Sequence, residues 1–140
     1  MDNKITMSFN LPATQRVKSQ RLSEMLFDGK SRSMAAFPLR VIYRLVDKED
    51  PAGIVSEPLV KILVSVPKRH LHHAVDRNRV KRQVREAFRK NKDILYTRLS
   101  EKEEPRLLTI AFVWLDPRLH TSEEIERKVK NLIKRMSERL

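Results

Sequence analysis

The sequence predicts a small α/β protein, a two-layer α+β sandwich in the order αβββαβα. Three observations predict it. Two segments rich in β-branched and aromatic residues flank an acidic, Pro- and Gly-bearing connection, an amphipathic stretch with helical spacing follows, and a further strand-like run leads into a segment opened by a capping-box signature. At 140 residues without cysteine, the chain suits a single domain spanning 1–140 with a modest core and no disulfide or thiolate metal site.

The elements follow in order. Ser19 is placed to cap a short helix with Leu22, Met25 and Leu26 on one face, and Gly29 supplies its C′ position. Ser31 to Ala36 has room for a short strand. Phe37, Leu39, Val41, Tyr43 and Leu45 then alternate with Pro38, Arg40, Ile42 and Arg44, as in a strand with one mainly apolar face, and Pro38 marks a position without a ladder partner. Asp47 to Pro58, with four acids, two prolines and Gly53, reads as a long exposed connection between antiparallel strands. Leu59 to Val66 returns as an apolar strand ended by Pro67.

Beyond a loop from Pro67 to Val75, Val80, Val84, Ala87 and Phe88 recur at helical spacing, with Leu95 continuing the stripe in a longer helix. The acidic run Glu101 to Pro105 reads as a solvated turn. Leu107 to Trp114 is a strand with Leu108, Ile110, Phe112 and Trp114 on one side. Asp116-Pro117 ends it, Thr121 and Glu124 have capping-box spacing, and the last helix buries Ile125, Val129, Leu132, Ile133 and Met136.

Charge is the second strong signal. Ten Lys or Arg lie between Lys68 and Lys92 against Asp76 and Glu86, so this stretch holds +8 of a formal net charge of +12. On the helix, Asn78, Arg82, Arg85 and Arg89 fall within a sector of about 60° opposite the apolar stripe, flanked by Arg79. Arginine forks grip phosphate oxygens in paired hydrogen bonds, whereas like charges at i+3 and i+4 cost roughly 0.2–0.5 kcal/mol per pair, so the face calls for a polyanion. A structural RNA-binding or ribosomal protein, a DNA recognition helix and a packaging factor all remain open on this basis. The focused charge argues against packaging, and the strand before the helix argues against a helix-turn-helix.

No enzyme constellation emerges. His70, His72 and His73 have no fourth ligand at convincing spacing and read as lining a phosphate-facing loop. Asp76 and Glu86 stand too far apart for paired acid/base work, and Asp76 is expected to cap the helix or brace an arginine. With neither a signal peptide nor a run of roughly 18 apolar residues, the chain is expected to be soluble and intracellular.

Ala74-Val75-Asp76-Arg77-Asn78-Arg79-Val80-Lys81-Arg82, continued by Arg85-Glu86-Ala87-Phe88-Arg89, resembles the signature of the bacterial ribonuclease P protein component family. Ser65-Val66-Pro67-Lys68-Arg69 resembles its upstream segment, with Pro67 in place of a serine, and the likeness extends over about residues 15–138. The resemblance implies a cytoplasmic accessory to a catalytic RNA that removes the 5′ leader from precursor tRNA, one protein per RNA, with Mg2+ held chiefly by RNA and substrate phosphates. It implies that Lys68, Arg69, Arg77, Asn78, Arg79, Lys81, Arg82, Arg85 and Arg89 meet the RNA subunit. It also implies a leader-binding cleft between the first helix and the sheet, at Lys18, Leu22, Leu26, Phe37, Arg40 and Arg44, with Trp114 as an extra stacking platform. Leu22 and Leu26 stand where relatives carry phenylalanine, and Arg40 where tyrosine occurs. The crossover between the strands either side of the basic helix is implied to be left-handed, against the right-handed form seen in about 98% of such units.

Overall fold

The computed structural model describes residues 29, 31–47, 60–101 and 106–140. The helix expected over Ser19 to Asp28 and the connection around Gly53 lie outside them. Gly29 has φ +87°, in the left-handed region that favours glycine.

Four strands form one mixed sheet: β1 (Arg32–Ala36), β2 (Leu39–Asp47), β3 (Val60–Ser65) and β4 (Arg106–Trp114), in the spatial order β1-β2-β4-β3. The helices are α1 (Ala74–Asn91), α2 (Asp93–Ser100) and α3 (Ser122–Arg139). β1 and β2 form an antiparallel hairpin turning at Phe37 and Pro38, so these two residues join strands and do not begin one. β2 pairs antiparallel with β4, and β3 pairs parallel with β4. β2 and β3 therefore run in opposite directions, as the sequence predicts, but β4 inserts between them. The parallel pair is connected through α1 and α2, because parallel neighbours need a crossover.

Alternation sets the core. Leu39, Val41 and Tyr43 of β2, Val60, Ile62 and Val64 of β3, and Leu108, Ile110, Phe112 and Trp114 of β4 are buried on one sheet face. That face packs against Val80, Val84, Ala87 and Phe88 of α1, Leu95 and Leu99 of α2, and Ile125, Val129, Leu132, Ile133 and Met136 of α3. Phe88 meets Phe112 edge-on at 6.1 Å between ring centroids.

Capping behaves unequally. Thr121 and Glu124 form the complete capping box at the start of α3. At α1 the N-cap is His73 without a side-chain cap bond, and Asp76 lies in the first turn, where its carboxylate meets the positive end of the helix dipole. Among the described residues it makes no hydrogen bond to an arginine. The helical stripe does not run unbroken to Leu95: α1 stops at Asn91, and Leu95 enters the core from α2.

Candidate nucleic-acid interface

The basic surface is built on a short, tied loop. The Pro67 carbonyl accepts from the backbone N–H of His70 at 3.1 Å and of Leu71 at 3.3 Å, closing a turn that carries Lys68 and Arg69 exposed. Leu71 anchors the loop in the core. Arg77 reaches back from the first turn of α1, its Nη1 donating to the carbonyls of Leu71 at 3.0 Å and His72 at 2.8 Å. This arginine is half-buried, and it clips loop to helix.

Along α1 the cations differ in availability. Asn78, Arg79 and Arg82 are exposed, whereas Lys81 and Arg85 are half-buried. Among the described residues, Arg79, Lys81 and Arg82 form no ion pair or side-chain hydrogen bond. The Arg89 side chain is 18% exposed and lies on Glu86, to which Nε donates at 2.6 Å and Nη2 donates as well. The expected row is thus open at its first two turns and folded against a carboxylate at its last. Near its end, burial pushes the Lys92 ammonium down, Asp93 opposing and Arg89 reinforcing the shift.

What aims this face outward is a set of polar contacts on the other flank of α1. Gln83 Nε2 donates to the His120 carbonyl at 3.2 Å and to Ser122 Oγ at 3.0 Å. Asn91 Nδ2 donates to Glu126 Oε2 at 3.4 Å, and Lys90 pairs with Glu126 at 3.6 Å. Each ties α1 to α3 or its entry loop and fixes the rotation of the basic helix. Sequence reasoning missed Gln83 and Asn91. Their only signal was an uncharged polar residue among arginines and lysines.

The opposite sheet face carries part of the expected cleft. Register places Arg44, Thr109 and Lys61 in one cross-strand row, Ile42, Ala111 and Leu63 in the next, and Arg40, Val113 and Ser65 in a third. Arg40 is exposed and Arg44 half-buried, and Phe37 stands 59% exposed at the β1–β2 turn. Lys18, Leu22 and Leu26 lie outside the described residues.

Trp114 belongs to neither surface, which corrects its expected role as a stacking platform. It points with Phe112 into the helix-covered core, is fully buried, donates from Nε1 to the Asp116 carbonyl at 2.6 Å, and meets the His120 ring edge-on at 5.4 Å. Among the described residues no group of three or more His, Cys, Asp or Glu is placed to hold a metal ion. No described helix is long and apolar enough to cross a membrane.

An α/β sandwich with a clipped basic loop running into an outward-facing, arginine-rich helix defines a protein of the nucleic-acid-binding class. The family model described as Ribonuclease P matches residues 11–137. A ribonuclease P protein component of Porphyromonas gingivalis is 38% identical over 128 residues, covering 91% of this chain and 87% of that protein. The chain belongs to the ribonuclease P protein family. Solved structures agree on the fold: the RNase P protein of Staphylococcus aureus aligns with TM-score 0.60 at 20% identity, over 87% of this chain and 94% of that one. The RNase P protein from Thermotoga maritima gives TM-score 0.56 at 22% identity, over 86% and 96%.

Proposed function

We propose that this chain is the protein subunit of bacterial ribonuclease P and assists the catalytic RNA in hydrolytic removal of the 5′ leader from precursor tRNA. The observation that carries the reading is the family match across residues 11–137. The open basic face on α1 supports it by offering the chemistry that RNA phosphates require.

In this reading no side chain of the protein performs the bond cleavage. Magnesium ions held by RNA and substrate phosphates supply that chemistry. Lys68, Arg69, Arg79, Lys81 and Arg82 neutralise and position phosphates of the RNA subunit, and the uncharged Asn78 adds a hydrogen-bond donor and acceptor beside them. Arg85 and Arg89 extend the row with part of their surface, and Arg77 acts mainly by holding the loop. The leader lies along the sheet face that bears Arg40 and Arg44, beside Phe37 and the segment containing Lys18, Leu22 and Leu26, with bases stacked and backbone charge matched. One protein serves one RNA, in the cytoplasm.

The test is reconstitution. Purified chain added to a bacterial ribonuclease P RNA should speed leader removal from precursor tRNA at low millimolar magnesium. Tight binding to that RNA with no change in rate would instead mark a structural RNA-binding protein.

A further inference from the structure

Three of the chain's four histidines fall within four residues, at His70, His72 and His73, on the loop that carries Lys68 and Arg69. His72 and His73 are exposed, and His70 is half-buried. The loop is held in place: the Pro67 carbonyl closes its turn, Leu71 is buried, and Arg77 grips the consecutive carbonyls of Leu71 and His72. The charged groups described on the loop and on the first two turns of α1 are Lys68, Arg69, Asp76, Arg77 and Arg79, with Lys61 on β3; Lys81, Arg82, Arg85, Glu86, Arg89 and Lys90 follow further along α1. Asp76 is the one carboxylate described on the loop and those first two turns, and Glu86, further along α1, pairs with Arg89.

A histidine-rich loop suggests metal binding, yet among the described residues no metal-holding group forms there. The alternative chemistry is phosphate. A neutral imidazole offers one donor and one acceptor, whereas the protonated ring offers two donors and a charge. That change falls between about pH 5 and pH 8, and a neighbouring phosphate favours the charged form.

We infer that His72 and His73 are proton-dependent phosphate contacts for the RNA subunit, so that RNA binding takes up protons and tightens as pH falls. The inference rests on the proposed function, which places RNA against this loop. Lys68 and Arg69, exposed on the same loop, supply the cationic part of the contact to which the histidines add.

The experiment measures the affinity of the full chain for ribonuclease P RNA at pH 6 and pH 8, each over a salt series. Affinity should rise from pH 8 to pH 6 by about five- to tenfold for each histidine in contact, the gain expected when a phosphate favours the charged imidazole by about one pH unit across its ordinary titration range. The salt slope should steepen by about 0.9 per phosphate engaged. The double variant H72Q/H73Q should bind as the parent does at pH 8 and lose the gain at pH 6. H120Q, which removes the histidine beside Asp116, should keep that gain. Equal affinity of the parent at both pH values, or a pH response that survives in H72Q/H73Q, overturns the inference. Failure to bind the RNA at either pH would strike the proposed function itself.

Discussion

Arg82→Ala separates RNA contact from folding. Arg82 is exposed and makes no hydrogen bond or ion pair among the described residues, so its removal takes nothing from the folded protein. It also relieves repulsion from Arg79 and Arg85, three residues to either side, worth roughly 0.2–0.5 kcal/mol per pair, and alanine favours the helix. Stability should therefore hold or rise slightly. If the guanidinium meets an RNA phosphate, a charge-assisted hydrogen bond worth about 1.5–3 kcal/mol is lost, weakening binding roughly ten- to hundredfold. One fewer phosphate contact lowers the slope of log affinity against log salt by about 0.9. Filter binding of the RNA subunit between about 50 and 400 mM monovalent salt gives both quantities. Affinity and slope matching the parent would refute the outward cationic row.

Three further outcomes follow from other parts of the structure. Phe37→Ala should weaken binding of leader-bearing precursor tRNA to the holoenzyme while sparing leaderless tRNA, with an unchanged melting temperature because the ring is 59% exposed. Equal loss for both substrates would remove it from the leader path. Thr121→Ala should cost about 0.5–2 kcal/mol in urea unfolding, since it deletes the side chain that accepts from the Glu124 N–H in the α3 capping box; no loss would show that the box contributes nothing. At Asp116, burial pushes the carboxyl up, but the His120 imidazole, the Arg118 N–H and the nearby positive charges pull it down by more, to below its ordinary value. A carboxyl depressed by folding stabilises above its unfolded-state value of about 3.9, and that contribution is lost as pH falls through the lower folded value. Asp116→Asn should therefore narrow the difference in melting temperature between neutral and acidic solution, and an unchanged difference would discount the 2.7 Å contact to His120.

Alternation and capping made much of the fold readable. The buried faces of β2, β3 and β4 and the whole α3 stripe follow from periods of two and 3.6, because those periods directly report which side meets the core. The break after Asn91 was not readable, since Asn91-Lys92-Asp93 contains neither proline nor glycine. Asn91 instead donates its side-chain amide to the Ala87 carbonyl at 2.8 Å and to Glu126, and Leu95 and Leu99 take up core positions on a new helix. Those are tertiary choices. Pro38 did signal an interruption, but the apolar alternation on either side carried the strand reading through the turn.

The candidate site divides the same way. Helical spacing places Asn78 and Arg82 outward, and both are exposed. It could not reveal that Arg77 would turn back onto the loop carbonyls or that Arg89 would lie on Glu86, because side-chain partners depend on rotamer and loop path. Trp114 is the instructive error: the period that put it beside Leu108, Ile110 and Phe112 already assigned it to the core, and its aromatic character suggested a surface role that its burial contradicts.

The most direct test of an RNA subunit docked on the outer face of α1 uses the absence of cysteine from the sequence. A single cysteine introduced by Asn78→Cys, carrying a short photo-cross-linker, should attach to the ribonuclease P RNA at a defined site in the active holoenzyme, while one introduced by Thr97→Cys on exposed α2 should not. Efficient, localised cross-linking from position 97 with none from position 78 would place the RNA on a different surface and contradict the account.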